Sequence, residues 1–183
     1  MRPVDAGDKD AIRSAFEHLS AESRYSRFFA LMDTLSDAQL RYLTEVDHRD
    51  HEALIAYDPD TGRGIAAARF VRSAQDSRVA EAAVVVDDDW QGKGLGTALS
   101  RLLADRAREE GVERFDATLL AANARMLHLL EALGPFQVVG REGPTVDIQV
   151  ELPKRGAGEQ MRSVLRAVAR GVAELAPPRE PGD

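Results

Sequence analysis

The chain has 183 residues, of which 44% are hydrophobic and 30% charged, with no cysteine and a formal net charge of −7. This is enough for one soluble domain with a sizeable core, and the missing cysteine excludes disulfides, thiolate metal sites and a cysteine nucleophile. The acidic balance argues against general nucleic-acid binding yet leaves an attraction for cationic amines and lysine-bearing proteins.

The first residues, Met1-Arg2-Pro3-Val4-Asp5, lack the apolar stretch of a signal peptide. No apolar run approaches the ~18 residues of a membrane span, so a cytoplasmic protein is expected. Val4 to Leu19 reads as a short lead-in and a helix, with Asp8 as N-cap and Ile12, Phe16 and Leu19 at helical spacing. Ser20 to Met32 is a second helix or a pair of turns, and Ser36 or Asp37 caps a third carrying the stripe Leu40, Leu43 and Val46. After a polar break from His48 to His51, Ala53–Tyr57 and Gly64–Arg72 are strands joined by the turn Asp58-Pro59-Asp60-Thr61-Gly62. Val79 to Val86 is a strand with Glu81 inside it. A long helix follows, with Leu95, Leu99, Leu102, Leu103 and Ala107 as its buried stripe and Gly111 as its stop. Phe115–Leu120 is a strand, Asn123–Leu133 a helix, and Phe136–Val139 and Val146–Leu152 two last strands around Gly143-Pro144. This order predicts a mixed α/β fold in which helices connect parallel strands. The domain is expected to end at residue 153. Gln160 to Leu175 reads as an amphipathic helix packing on the domain or on a second copy, so a homodimer is one expectation, and the proline-rich tail as disordered.

Between the Val79–Val86 strand and the long helix lies Gln91-Gly92-Lys93-Gly94-Leu95-Gly96-Thr97. A strand, a glycine-rich loop and a helix start form an anion site. Free N–H groups of the first turn and the helix dipole favour a phosphate, and glycine lets the backbone approach it. A turn that needs glycine for its backbone angles alone would look the same. The dinucleotide fingerprint fails because the third glycine comes one residue early, and a P-loop fails because Gly96 is followed by Thr97-Ala98.

The stretch Val84 to Leu99 resembles the acetyl-CoA signature of the GNAT superfamily of N-acetyltransferases, a strand followed by (Gln or Arg)-x-x-Gly-x-(Gly or Ala) and a helix. Asn123-Ala124-Arg125-Met126, with Glu131 and Gly134 beyond it, is similar to that family's later cofactor-binding helix. Leu19 to Phe29 and Leu43 to Asp47 resemble the narrower group of Pat-type protein lysine acetyltransferases. The likeness implies a mostly antiparallel GNAT-like sheet with a parallel pair at the cofactor site. It also implies acetyl-CoA as acyl donor, no metal, and a primary amine as acceptor, either a protein lysine or a small molecule. The implied cofactor contacts are Val84, Val85 and Val86 through the main chain, the loop from Gln91 to Thr97, and Asn123 and Met126.

Acetyl transfer to an amine needs a neutral amine, stabilisation of the carbonyl oxygen and a leaving thiolate. Glu81, among Val79, Ala80, Ala82 and Ala83, is the candidate base, since apolar surroundings suit a carboxylate to that work; an exposed glutamate on a half-solvated strand is the plainer reading. Many family members place a tyrosine acid in the later helix, where this chain has Leu130. That substitution keeps open a non-catalytic acyl-CoA sensor beside the enzyme readings. Asn123 doubles as an N-cap. His48 and His51 lack the further ligands of a metal site, and Trp90 reads as a packing anchor.

Overall fold

The computed structural model describes residues 1–153; the expected C-terminal helix and tail lie outside the described residues. β1 (Arg2–Pro3) leads through a short 3-10 turn into α1 (Lys9–His18), followed by α2 (Ala21–Phe28) and α3 (Asp37–Thr44). Each start has a local cause. Ser20 Oγ accepts from Ser23 N–H at α2, and Ser36 and Gln39 form a reciprocal capping box at α3. Asp8 sits at the N-cap of α1 but makes no side-chain cap bond. Its carboxylate is taken instead by Arg2, Tyr57 O–H and the Asp5 N–H.

The strands β2 (His51–Tyr57), β3 (Gly64–Arg72), β4 (Val79–Val86), β5 (Arg114–Leu120), β6 (Phe136–Glu142) and β7 (Thr145–Glu151) join β1 in one seven-stranded sheet of order β1-β2-β3-β4-β5-β7-β6. Every neighbouring pair is antiparallel except β4 and β5. This is the mixed, mostly antiparallel sheet with one parallel pair that the resemblance implied. The parallel pair is bridged by α4 (Leu95–Glu109), while α5 (Ala124–Glu131) leads to an edge strand, because β7 pairs with β5 in its place.

Two hydrophobic clusters occupy the two faces of the sheet. On one, Leu99, Leu103 and Ala107 of α4 and Leu130 of α5 meet Leu54, Phe70, Ala80 and Phe115. On the other, Ile12, Phe16, Leu35 and Leu40 cover Ala53 and Ile55. β2 is therefore buried on both sides, which is why Ala53-Leu54-Ile55-Ala56 is a continuous apolar run without alternation. In α4 the buried set is Leu99, Ser100, Leu103, Ala104 and Ala107, whereas Leu102 is exposed. The small Ser100 and Ala104 hold α4 close to the sheet, and Leu102 turns outward. The fully buried Glu52 is paired on both oxygens, by His48 Nδ1 (2.8 Å) and by Arg106 Nε of α4 (3.1 Å). Among the described residues no helix is long and apolar enough to cross a membrane.

Candidate active site

β4 and β5 are paired only over Val79–Glu81 and Arg114–Asp116; beyond that point they separate. β4 stays in register with β3 along its whole length, and β5 with β7. The bonds Ser73 N–H to Val79 O and Asp87 N–H to Ile65 O bracket the β3–β4 ladder. In an antiparallel pair main-chain groups alternate sides, so the odd-numbered residues of β4 serve β3. The N–H and C=O groups of Ala82, Val84 and Val86 point toward the opening. Gln91 Nε2 donates to Val86 O at 3.2 Å from that side. Val85 is thus distinct from Val84 and Val86, because its main chain belongs to the β3 ladder and its side chain lines the opposite face.

The opening is a cleft of about 780 Å³, part of it open to solvent, lined by Glu81 to Val84 of β4, Phe115 and Ala117 to Leu119 of β5, Ser100 and Leu103 of α4, and Asn123, Met126 and Leu130 from the α5 region. Asn123 caps α5 by accepting from Met126 N–H at 3.0 Å, so its capping role and its place on the cleft coexist.

At the end of β4 the loop turns through Gly92 and Gly94, with φ of 73° and 79°. A side chain is strained in that left-handed region. Gly94 is the N-cap of α4 and offers no side chain to its first turn. The first helical bond is Ala98 N–H to Gly94 O (3.0 Å), which leaves the N–H groups of Leu95, Gly96 and Thr97 directed out of the helix. Gly96 is closely packed rather than strained: a Cβ there would lie 3.2 Å from two side-chain ends, Val86 Cγ2 and Leu129 Cδ1. Its glycine lets α4, β4 and α5 close on one another. Lys93 Nζ lies 4.9 Å from the centre of the Trp90 ring, and Trp90 is half-buried against the core, as a packing anchor would be.

The loop is tied to α2. Asp88 accepts from Ser20 N–H (2.9 Å), Ser20 Oγ (3.0 Å) and Ser23 Oγ (2.7 Å). Burial pushes its carboxyl up, but the serine hydrogen bonds outweigh this and hold it below the ordinary range. Gln91 Nε2 also reaches Ser23 Oγ, and its Oε1 accepts from Arg125 of α5.

Glu81 lines the cleft where the strands part, and it is exposed. Its apolar sequence neighbours do not bury it, because strand alternation sends them to the other face or along the ladder. Above it stand two half-buried arginines that sequence reasoning did not single out. Arg27 of α2 lines the cleft and a second cavity on the opposite face of β4, where Arg69 of β3 also lies. Burial pulls Arg27 below its ordinary value while the charges of Glu81 and Tyr42 act the other way. Burial, and then the Arg27 charge, push Arg69 down to about 10. The signal that could have marked them was an arginine inside an otherwise small and apolar strand, Ala66-Ala67-Ala68-Arg69. Of the histidines, His48 is held by Glu52, His51 faces Arg69, and His128 is exposed beside Glu131.

The model of the acetyltransferase (GNAT) family matches residues 13–134. The chain is 34% identical over 181 residues to acetyltransferase Pat of Mycolicibacterium smegmatis, covering 95% of this chain and 54% of that one, so it spans about half of that relative's length. The GNAT domain of S. lividans PAT superposes with a TM-score of 0.75 at 33% identity, over 82% of this chain and 89% of that domain. A putative acetyltransferase from Salmonella typhimurium, yncA, solved with its cofactor acetyl-CoA, shares the fold at a TM-score of 0.66 and 24% identity, over 85% and 95% of the two chains. The split β4–β5 pair, the glycine loop and these matches agree, and the chain belongs to the GNAT acetyltransferase family.

Proposed function

We propose that the chain moves the acetyl group of acetyl-CoA to a primary amine, with a protein lysine as the leading acceptor and a small amine as the alternative, by direct attack with both substrates bound. The observation that carries this reading is the parting of β4 from β5. It lays unpaired main-chain groups, Glu81 and the uncapped α4 N-terminus along one continuous run of chain. Acetyl-CoA supplies an activated thioester. The N–H groups of Leu95, Gly96 and Thr97, with the helix dipole, suit its pyrophosphate. Met126 and Asn123 line the cleft beside it. Val84, with its N–H and C=O, and Val86, with its N–H, offer main-chain groups to an extended amide arm as a strand would, and an N–H to the thioester oxygen as charge builds there.

Glu81 takes the proton that the amine must lose as its nitrogen bonds to the acetyl carbon, directly or through a water. As the carbon–sulfur bond breaks, one proton ends on the sulfur, so the products are an amide and a thiol. No tyrosine stands on the cleft to deliver that proton; Leu130, at the family's usual place for one, is buried. The thiolate then leaves unassisted or takes its proton from water, and the missing tyrosine is the one observation that favours a non-catalytic acyl-CoA sensor as the second reading.

Glu81→Gln keeps shape and removes basicity. Turnover should fall about 10²–10⁴-fold, with the acetyl-CoA dissociation constant near wild type, and the loss should shrink at high pH where more amine is neutral. Wild-type turnover at pH 7 would remove Glu81 as base, and acetyl-CoA binding without thiol release across amine acceptors would favour the sensor.

A further inference from the structure

The described arginines divide into two groups. Most that are drawn toward the protein are ion-paired or spent on carbonyls. Arg2 meets Asp8, Arg63 meets Asp87, Arg72 meets Asp50 and Arg106 meets Glu52. Arg24 donates to the carbonyls of Leu19, Met32 and Asp33. Arg27 and Arg69 are different. Both are half-buried, and among the described residues neither belongs to an ion pair. Among the described residues the Arg27 side chain makes no hydrogen bond; its guanidinium lies 4.9 Å from the centre of the Phe28 ring. Arg69 donates to Leu43 O (2.8 Å), faces His51 Nε2 (3.3 Å) and stacks near Tyr42 (5.4 Å), which fixes its direction without neutralising it.

Their place gives the pair meaning. Both line a recess of about 620 Å³, part of it open to solvent, between the α1–α3 layer and the odd-numbered face of β3 and β4, and Arg27 and Ala83 line this recess and the β4–β5 cleft alike. Apart from these two and Asp87, whose carboxylate is held by Arg63 (2.6 Å), its walls are apolar. Glu81 sits diagonally across from Arg69 in the β3–β4 register. Two guanidiniums against one carboxylate leave one positive charge beside the candidate base. Such a field repels a simple cationic amine and is neutralised by a ligand bearing one negative charge.

We infer that Arg27 and Arg69 form a subsite for a carboxylate carried by the acceptor close to its reacting amine. The inference rests on the acetyl-transfer reading of the same cleft. A guanidinium fork recognises a carboxylate by paired, charge-assisted bonds. With the carboxylate there, the amine is left at Glu81. The carboxylate has two sources, the main chain of a free amino acid or an aspartate or glutamate beside a target lysine.

The experiment compares matched acceptors: L-leucine against L-leucinamide, and lysine peptides flanked by glutamate against the same peptides flanked by glutamine. The expected kcat/KM ratio of each favoured acid over its amide is about 10–100-fold in wild type, the range of a charge-assisted contact. In Arg27→Gln the ratio falls toward one, mainly through KM, and Arg27→Lys restores part of it. Because Arg69 also holds the Leu43 carbonyl, Arg69→Lys serves there, with acetyl-CoA calorimetry as the check of folding. Preference confined to the free amino acid or to the peptide identifies the source. Equal rates for acid and amide in wild type, or an unchanged ratio in both variants, overturn the inference. Calorimetry with N-acetyl-L-leucine, N-acetyl-L-leucinamide and the acetylated peptide pairs, in the presence of CoA, tests it apart from turnover. Acid-selective binding lost in Arg27→Gln, with no transfer to any amine, would sink the transfer reading and keep the subsite. Absence of acid-selective binding sinks the subsite.

Discussion

Replacing Gly94 by alanine separates two explanations of the glycine loop. The position has φ +79°, and a Cβ built there meets nothing within 4 Å. A collision with the described residues is therefore excluded, and the substitution tests the backbone angle itself. An L-residue in the left-handed region costs about 1–2 kcal/mol. For a chain of this size ~1 kcal/mol moves the melting temperature by about 2–4 °C, so Gly94→Ala should melt about 2–8 °C lower. Relaxation toward negative φ would also re-aim the N–H groups around the α4 start. Losing one charge-assisted contact to a phosphate is a factor of about 10 or more in the acetyl-CoA dissociation constant. Gly96→Ala is the control. Its Cβ meets two side-chain ends at 3.2 Å, Val86 Cγ2 and Leu129 Cδ1, which can yield, while alanine gains up to about 1 kcal/mol over glycine inside a helix. Gly96→Ala should therefore stay within about 1 kcal/mol of wild-type stability and weaken acetyl-CoA less than Gly94→Ala does. Scanning calorimetry and isothermal titration give both orders. If Gly94→Ala keeps wild-type melting and affinity, or if Gly96→Ala is the weaker binder of the two, the loop does not act through the backbone at Gly94.

Asp8 carries a pH signature: the Arg2 hydrogen bonds, against burial, hold its carboxyl at about 2 rather than 3.8. A depressed acid stabilises the fold above its unfolded value and loses that contribution as pH falls, here between about 4 and about 2, a total of about 2 kcal/mol. Urea unfolding of Asp8→Asn should run below wild type at pH 7 and converge with it at the acid end; parallel curves would refute this. Asp88→Asn should loosen α2 from the loop, because it weakens the bonds to Ser20 and Ser23. Faster amide exchange across Ala21–Phe28 is the expected result, and unchanged exchange counts against the tie.

Much of this fold was legible because its signals are local. Gly64–Arg72 and Val79–Val86 have the bounds that their composition and flanking turns indicated, and the left-handed Gly92 and Gly94 lie where the loop was expected. What failed involved partners distant in sequence. Asp8 was read as a cap, but Tyr57, far along the chain, takes its carboxylate. Leu102 fits the helical period, yet the sheet lies closer to Ser100 and Ala104, which periodicity of large apolar residues cannot announce. The insertion of β7 between β5 and β6 is likewise invisible to element order, since a helix between two strands suggests a crossover to a paired neighbour.

The site shows the same division in sharper form. Its main-chain chemistry has no residue code: Val84, Val85 and Val86 are alike as letters, and only the register against β3 decides that Val84 and Val86 face the opening while Val85 does not. That register is fixed at both ends by ordinary hydrogen bonds, Ser73 to Val79 and Asp87 to Ile65, and a slip by one residue would exchange the two sets. Glu81 would then turn to the α4 face, and the open groups would belong to Ala83 and Val85. The loop after β4 guards against such a slip. Asp87 is clamped by Arg63 and Gln91 grips the Val86 carbonyl, so the residues that present the glycine turn also lock the strand that precedes it. The carboxylate of Glu81, the free edge of β4 and the mouth of α4 are therefore not three features that happen to lie together. They are consequences of one register, which places the side chain of Glu81, the open main chain of Val84 and the Val86 N–H on the path between α2 and α4.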